Sequence, residues 1–589
     1  MRRPSRSHRP NRTARLALAV SLAMIAALGL VSLPQPLPAQ AADRTAALVG
    51  SLQSELGCSA DWQPACATTE LAKDPTGTTY SAVFSLPQGS WEYKVALNDA
   101  WDESYRADGT KGESNSPLVL AGSTDVRVVY DDTTHKTTVT PTDLGGDRVT
   151  AGDRRLATDS LRNGLTKERF YFVMADRFAN GSAANDRGGL TGDRLATGYD
   201  PGDKGFYHGG DLKGVTDKLD YIKGLGTTSI WLTPSFKNRP VQGSGADASA
   251  GYHGYWITDF TQIDPHLGTN AEMKTLIDKA HAKGMKVFFD IITNHTADVI
   301  DYEGGQHSYV SKEARAYQDA SGKDFDDRDY AGGTTFPALN PDTFAPYKPV
   351  FRNDADRTAK TPAWLNDPTM YHNRGDSTFA GESSEYGDFV GLDDLFTERP
   401  EVVEGMGEVY KSWVDLGIDG FRIDTVKHVN MDFWKKFSPD VMAHAKAIGN
   451  DDFFMFGEVY DARAELMSQY TTDGRLPATL DFGFQASALD FAKGSATTKL
   501  RDFFASDDYY TDTDSNVYET PTFLGNHDMG RVAMMLGKSA TGDDLMRRVR
   551  LANSLMYLTR GQPVVYYGDE QGFMGAGGDK DARQDLFAT

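Results

Sequence analysis

The spacing of apolar and polar positions divides this chain into two regimes. From about residue 43 to 142 the apolar positions come in short, strand-like runs. These are Ala82-Val83-Phe84-Ser85-Leu86, Trp91-Glu92-Tyr93-Lys94-Val95-Ala96-Leu97 and Val126-Arg127-Val128-Val129-Tyr130. Pro87-Gln88-Gly89, Asn98-Asp99 and Asp131-Asp132 supply the turns between them. About 100 residues patterned this way predict a small all-β sandwich. Residues 143–160 are polar and weakly patterned and read as a linker.

From Arg169 the pattern changes. Phe170-Tyr171-Phe172-Val173-Met174, Ser229-Ile230-Trp231-Leu232 and Val287-Phe288-Phe289-Asp290 are strand-like. Val215–Gly224 and Ala271–Lys283 between them have helical spacing. The alternation predicts βαβ units and a parallel sheet. Later apolar runs end in acidic or His residues, which favours an α/β chain folded as a (β/α)8 TIM barrel over 161–589, with its chemistry at the strand ends. One interval, about 294–392, breaks the rhythm: it is long, polar and rich in Gly, Asp, Asn and Tyr. Such an insertion is usually functional or a domain of its own.

The 589 residues exceed what one core accommodates, and 39% hydrophobic content is ordinary for globular packing. A net charge of −22 argues against nucleic acid or an anionic membrane as partner, and suits a neutral polyol. At the N-terminus, Arg2, Arg3, Arg6, Arg9, Arg12 and Arg15 precede an apolar run, Leu16–Val31. Pro34, Pro36 and Pro38 and then Ala39-Gln40-Ala41 follow. Residues 1–42 therefore read as a secretion signal, with the Arg2-Arg3 pair leaving twin-arginine export open. The apolar run is short for a membrane anchor. In an extracellular protein the two cysteines, Cys58 and Cys66, are expected to form a disulfide.

The chemistry centres on Gly417-Ile418-Asp419-Gly420-Phe421-Arg422-Ile423-Asp424-Thr425-Val426-Lys427-His428. Strand alternation places Arg422 and Asp424 on one face. A fixed cation there is expected to hold the carboxylate ionised, as a nucleophile requires. The plainer alternative is a strand-end salt bridge. Three further runs end similarly: Asp290-Ile291-Ile292-Thr293-Asn294-His295, Phe456-Gly457-Glu458-Val459-Tyr460 and Phe523-Leu524-Gly525-Asn526-His527-Asp528.

In order, content and spacing, these four runs resemble the four short blocks of the α-amylase family (family 13 glycoside hydrolases). The resemblance covers roughly Asp159 to the end of the chain. It implies a (β/α)8 barrel with a domain B inserted at 294–392 and retaining hydrolysis of α-1,4 bonds in starch-like glucans. By this resemblance Asp424 is the nucleophile, Glu458 the general acid/base and Asp528 the third carboxylate. His295 and His527 hold sugar hydroxyls, and Arg422 orients the nucleophile. Tyr252-His253-Gly254-Tyr255-Trp256 resembles the segment that stacks under the sugar, with Tyr255 as platform, His253 beside it and Trp256 expected in the core. Lys427 resembles a lysine that touches a leaving-group sugar.

The same resemblance implies calcium, held by Asn294, Asp394 and the carbonyl of His428. A second calcium loop is implied at Asn180, Asn185, Asp186, Gly209 and Asp211. There Asn180 stands where relatives carry Asp, and Ser182 where they carry Asn. The front region resembles accessory modules of bacterial amylopullulanases, which implies starch contact through Trp62, Trp91, Trp101 or Tyr105. Core packing is the alternative for these aromatics and is expected for Trp91. Alternatives to an amylase are pullulanase-type α-1,6 debranching, a bifunctional amylopullulanase and transglycosylation. A non-catalytic glucan-binding protein is disfavoured because all three carboxylates are present. The family continues past its eighth strand, matched here by Gly561–Glu570, with a last helix and a C-terminal β-domain. Both are expected to be missing from a sequence that stops at Thr589.

Overall fold

A computed structural model describes residues 44–141 and 164–587, except 76, 88, 113, 121–123 and 579. The expected signal at 1–42 and linker at 143–160 lie outside the described residues. In the front region the short strands pair as two antiparallel sheets. One contains β1 (Ala46–Gly50), β4 (Gly89–Leu97), β5 (Ser104–Tyr105) and β6 (Ser116–Leu120). The other contains β2 (Ala72–Lys73), β3 (Thr79–Leu86), β7 (Thr124–Asp131) and β8 (Lys136–Pro141). Leu48, Tyr93 and Val95 from the first meet Tyr80, Val126 and Val128 from the second in one apolar core. Alternating side chains make this possible, since every second residue of each strand faces inward.

Strand β1 is buried on both faces, with Ala46 and Leu48 in that core and Ala47 and Val49 packed with Ala96 beneath Trp62. Cys58 and Cys66 are disulfide-bonded and close the loop that carries Trp62. Trp91 and Tyr105 pack against the core, and Tyr105 stacks on His135 with centroids 4.0 Å apart.

The second region is a parallel barrel of eight strands: Phe170–Val173, Ser229–Leu232, Lys286–Ile291, Gly420–Ile423, Phe454–Gly457, Ala478–Thr479, Pro521–Phe523 and Gln562–Tyr566. Neighbours pair in chain order, and the eighth strand pairs with the first. A single parallel bridge between Asp481 and Thr522 joins the sixth strand's end to the seventh. Aromatic rings fill the interior. Phe172 stacks on Trp231 at 3.8 Å, and Phe456 and Phe288 pack edge-on nearby. The expected helix at 215–224 is broken at Lys218 into Leu212–Asp217 and Leu219–Gly224. Leu212 and Val215 on one side of the break, and Leu219 and Ile222 on the other, all pack into the barrel core.

Between the third strand and the helix Pro400–Leu416 lies the insertion. It has only two- and three-residue strands, short 3-10 turns and one brief helix. Its base is stitched, because His295–Thr296 pairs antiparallel with Asp393–Asp394. Tyr317, Phe344 and Phe396 give it a small core of its own.

The approach to the fourth strand is set locally. Pro400 opens the preceding helix and Gly417 ends it at φ 107°, a left-handed cap that glycine adopts at little cost. Gly420 then starts the strand where no side chain fits: a Cβ there would lie 2.0 Å from the Phe454 carbonyl oxygen and 2.3 Å from a ring carbon of Phe288. Gly420→Ala is expected to destabilise the barrel by at least about 1–3 kcal/mol. An unchanged denaturation midpoint would contradict this packing.

Candidate active site

The fourth and fifth strands deliver two carboxyl groups to one place. The backbone N–H of Asp424 donates to Ile291 O (2.8 Å) and that of Glu458 to Ile423 O (2.7 Å), so both residues continue the ladder just past the strand ends. Arg422, fully buried, connects them. Its NH1 lies 2.7 Å from Asp424 Oδ1 and 2.7 Å from Asp290 Oδ1, and its NH2 lies 2.9 Å from Glu458 Oε1. One planar guanidinium thus fixes three carboxyl groups, a geometry lysine could not reproduce. Thr425 follows at φ 50°, unusual for a β-branched residue, and its N–H points at Glu458 Oε2 (3.3 Å).

Around this centre lies a cavity of about 830 Å³. Of the expected catalytic and sugar-binding residues, Asp424, Glu458, Asp528, Tyr255, His253, His295, Lys427 and His527 line it, while Arg422 lies behind them. Asp528 is more open, its side chain 44% exposed, and is held by Arg583 NH2 at 3.2 Å. Tyr255 places its hydroxyl 3.2 Å from Asp290 Oδ2 and 2.8 Å from His527 Nε2, and its ring stacks over His527. His253 Nδ1 accepts the Tyr255 N–H (3.1 Å) and so braces the platform. Lys427 donates to the Tyr460 carbonyl (3.3 Å) at the rim. Trp256 packs against the core as expected but also borders the cavity.

Burial pushes His295 down to about 3 and holds His253 and His527 well below the usual imidazole range. These rings are neutral and suited to hydroxyl groups. His295 Nε2 and His527 Nδ1 are buried and have no hydrogen-bond partner within the protein.

The carboxylates correct one expectation. Arg422 alone does not keep Asp424 in the ordinary acidic range. Burial raises it well above 3.8, Glu458, Asp290 and Asp528 add to the rise, and Arg422 only opposes them. Burial likewise pushes Asp290 up to about 7 against the pull of Arg422. Several buried carboxyl groups around one cation favour a proton retained among them.

Asp290, Thr425 and Arg583 were not singled out from sequence. Asp290 lay inside one of the four runs, and a carboxylate within a buried strand was its signal. Its Oδ2 also accepts from Trp231 Nε1 in the barrel core (3.2 Å). Arg583 carried no such signal, since its contacts with Asp528, with the Tyr252 hydroxyl (3.2 Å) and with the His527 carbonyl (3.3 Å) span long sequence gaps.

The expected calcium residues fall in two places. Asn294 and Asp394 are buried side by side at the base of the insertion. Asp394 Oδ2 is bound by His372 Nδ1 (2.6 Å), whose Nε2 meets Glu398 (2.8 Å). Burial pulls His372 down, but Glu398 and Asp394 outweigh it and leave it pushed up to about 10. The ring of His428, whose carbonyl was the third expected ligand, is anchored to the Ser384 carbonyl (2.7 Å).

In the second loop Asn180 has both ends engaged, accepting from Ser182 N–H and donating to Asp186 Oδ1, each at 2.9 Å. It braces the loop, and Asp186 with it. The positive φ of Gly209 (97°) lets the backbone pass close to both, where a Cβ would lie 2.9 Å from each side chain. Asn185 Oδ1 and Asp211 Oδ2 are buried with no partner. Two such oxygens are the donor chemistry that a hard cation takes. Among the described residues no three His, Cys, Asp or Glu side chains converge as metal ligands, so amide and backbone oxygens would have to complete either site.

Comparison with known proteins identifies the family. Residues 172–587 match the family described as the alpha amylase catalytic domain, and residues 45–137 match the pullulanase X25 domain. An alpha-amylase of Streptomyces lividans is 60% identical over 443 residues, 74% of this chain and 48% of that protein. A cyclomaltodextrin glucanotransferase of Klebsiella oxytoca is 29% identical over 69% of this chain and 58% of its own length. The crystal structure of an Anoxybacillus alpha-amylase is similar with a TM-score of 0.52 at 30% identity, over 72% of this chain and 75% of that one. The chain spans about half the length of these two curated relatives.

Asp290→Asn removes one of the carboxylates that orient Arg422. It is expected to lower turnover by about 10²-fold with the fold retained. Steady-state kinetics beside a circular-dichroism spectrum measure both, and wild-type turnover would refute the orienting role.

Proposed function

This chain belongs to the α-amylase family of glycoside hydrolases, and from that premise we propose that it is a retaining enzyme that cleaves α-1,4-glucosidic bonds in starch-like glucans. The observation that carries this reading is the single guanidinium of Arg422 holding Asp424 and Glu458 at adjacent strand ends in the cavity. Retaining hydrolysis needs two such carboxyl groups about 5–5.5 Å apart.

Asp424 attacks the anomeric carbon while Glu458 gives its proton to the leaving oxygen, and the glycosidic C–O bond breaks. Glu458, now a carboxylate, takes a proton from water. That water attacks the same carbon and releases Asp424. In this step Glu458 serves as the acid and Asp424 as the nucleophile, the pair of roles that retaining hydrolysis requires. Asp528, His295 and His527 bind sugar hydroxyls, Tyr255 packs against the ring and Lys427 meets the leaving side.

The 60% identity to an alpha-amylase of Streptomyces lividans favours hydrolysis over transglycosylation. The second reading, pullulanase-type α-1,6 cleavage, is favoured by the match of the front module alone. The basic-then-apolar segment at 1–42 supports export of the enzyme.

We also propose that calcium serves a structural role. Asn185 and Asp211 would hold it in the loop near the first strand, and Asn294, Asp394 and the His428 carbonyl at the base of the insertion. Bound there, calcium supplies positive charge and cross-links loops to the barrel.

Product analysis tests the first proposal. Amylose is expected to give short maltooligosaccharides, with no maltotriose from pullulan. Maltotriose from pullulan would move the assignment to α-1,6 cleavage. Glu458→Gln is expected to lose about 10²–10⁴-fold in rate, and Asp424→Asn nearly all turnover. Full activity in either variant would sink the assignment of roles. Because burial raises Asp424, and the nucleophile must be ionised, kcat/KM is expected to fall with acid along a limb centred above 3.8.

For calcium, a chelator is expected to lower the melting temperature and added Ca²⁺ to restore it, with a smaller response in Asp211→Asn. Identical melting curves with and without chelator would count against both sites.

A further inference from the structure

Arg583 ties together parts of the cavity wall that are far apart in the chain. Its side chain is 5% exposed, and each nitrogen of its fork donates to a different acceptor. Nη2 reaches Asp528 Oδ1 (3.2 Å), Nη1 the Tyr252 hydroxyl (3.2 Å) and Nε the His527 carbonyl (3.3 Å). The guanidinium also lies 5.9 Å from the centroid of the Tyr252 ring, on which Arg177 packs at 3.9 Å. Tyr252 opens the run that carries His253 and Tyr255. One cation therefore joins the aromatic platform to the end of the seventh strand.

The segment that carries Arg583 is anchored on both sides. Before it, the Gly578 N–H donates to the Asp528 carbonyl (2.8 Å) and the Arg531 N–H to the Gly575 carbonyl (3.0 Å). After it, Arg531 Nε donates to Gln584 Oε1 (2.6 Å), and Asp585 meets His208 Nδ1 (2.8 Å). The N–H groups of Leu586 and Phe587 donate to the carbonyls of Arg177 (2.9 Å) and Phe178 (3.0 Å). A side chain fixed this way has already lost its rotamer freedom on folding and can order a freer partner. Asp528 is that partner. The side chains of Asp424 and Glu458 are 10% and 11% exposed and are fixed by Arg422, whereas that of Asp528 is 44% exposed.

We infer that Arg583 is a positioning residue of the reaction, which sets Asp528 and the platform at 252–255 at their working separation and does not itself meet the sugar. All three nitrogens of its fork are committed to protein acceptors, so it acts through the groups it holds. Its charge acts as well: after burial, Arg583 is the largest influence that holds His253 and His527 well below the usual imidazole range. The inference rests on the proposed function, in which Asp528 and His527 bind sugar hydroxyls and Tyr255 packs against the ring.

A double-mutant cycle on the full chain tests it, with turnover of maltoheptaose as the readout. Arg583→Gln is expected to lower kcat by about 10–100-fold and to move KM by less than about three-fold, because misplacement is felt most in the transition state. In an Asp528→Asn background the same change is expected to cost less than about three-fold, since the main group it positions is already altered. Arg583→Lys keeps the charge but not the fork, and is expected to fall between Arg583→Gln and the parent. Tyr252→Phe keeps the ring on Arg177 and removes one acceptor. It is expected to melt as the parent does and to lose about two- to five-fold in kcat, a readout that stands even where Arg583→Gln unfolds. A kcat loss of equal size in both backgrounds, a loss confined to KM as a direct sugar contact would give, or parental kinetics in Tyr252→Phe overturns the positioning role and leaves the barrel's function standing. A parent inactive on maltoheptaose overturns both.

Discussion

Arg422 is the side chain on which the candidate active site depends. It is buried and makes close ion pairs with Asp290, Asp424 and Glu458, which lie on or just beyond the third, fourth and fifth strands. A buried guanidinium without anionic partners is strongly destabilising, and buried carboxylates without a cation are equally so. The four groups therefore require one another, and the barrel holds them in register. Trp231 extends this constraint inward. Its ring stacks on Phe172 in the aromatic interior while its N–H reaches Asp290. Packing of the barrel core and orientation of the candidate nucleophile are parts of one structure.

The same arrangement sets the charge balance of the site. One cation among several buried carboxyl groups leaves an excess of negative charge that burial penalises. Holding a proton in the cluster relieves it, and a retaining mechanism needs one acid and one base at such a spot. Neutral histidines at 253, 295 and 527 add hydrogen-bonding capacity without adding charge to this balance. The insertion is joined to the centre by short-range stitching: His295 faces the cavity from the strand pair whose other member carries Asp394.

Much of this was legible in the sequence, for identifiable reasons. Period-two alternation predicted the sandwich strands and placed Arg422 beside Asp424. The switch to alternating strands and helices predicted the barrel, and long polar composition marked the insertion. Other features were not legible. Nothing in the spacing of residues 215–224 signals a break at Lys218, because the apolar positions on both sides of it keep helical spacing. Asn180 differs by one heavy atom from the aspartate its relatives carry, and the folded loop engages its amide with Asp186. His372, fully buried between Asp394 and Glu398, lay in a stretch with no periodic pattern to read.

By itself the sequence determined which runs of the chain end at the cavity and which polar residues each delivers there, because strand periodicity and local turn residues act over a few positions. Gly417 and Gly420 show this: the cap and the strand start are encoded where they occur. Only the tertiary structure decided how those residues share charge. Desolvation and Coulomb interactions depend on distance in space, and the partners of Asp528 and Asp424 come from far along the chain: Arg583 in one case, Glu458 and Asp290 in the other.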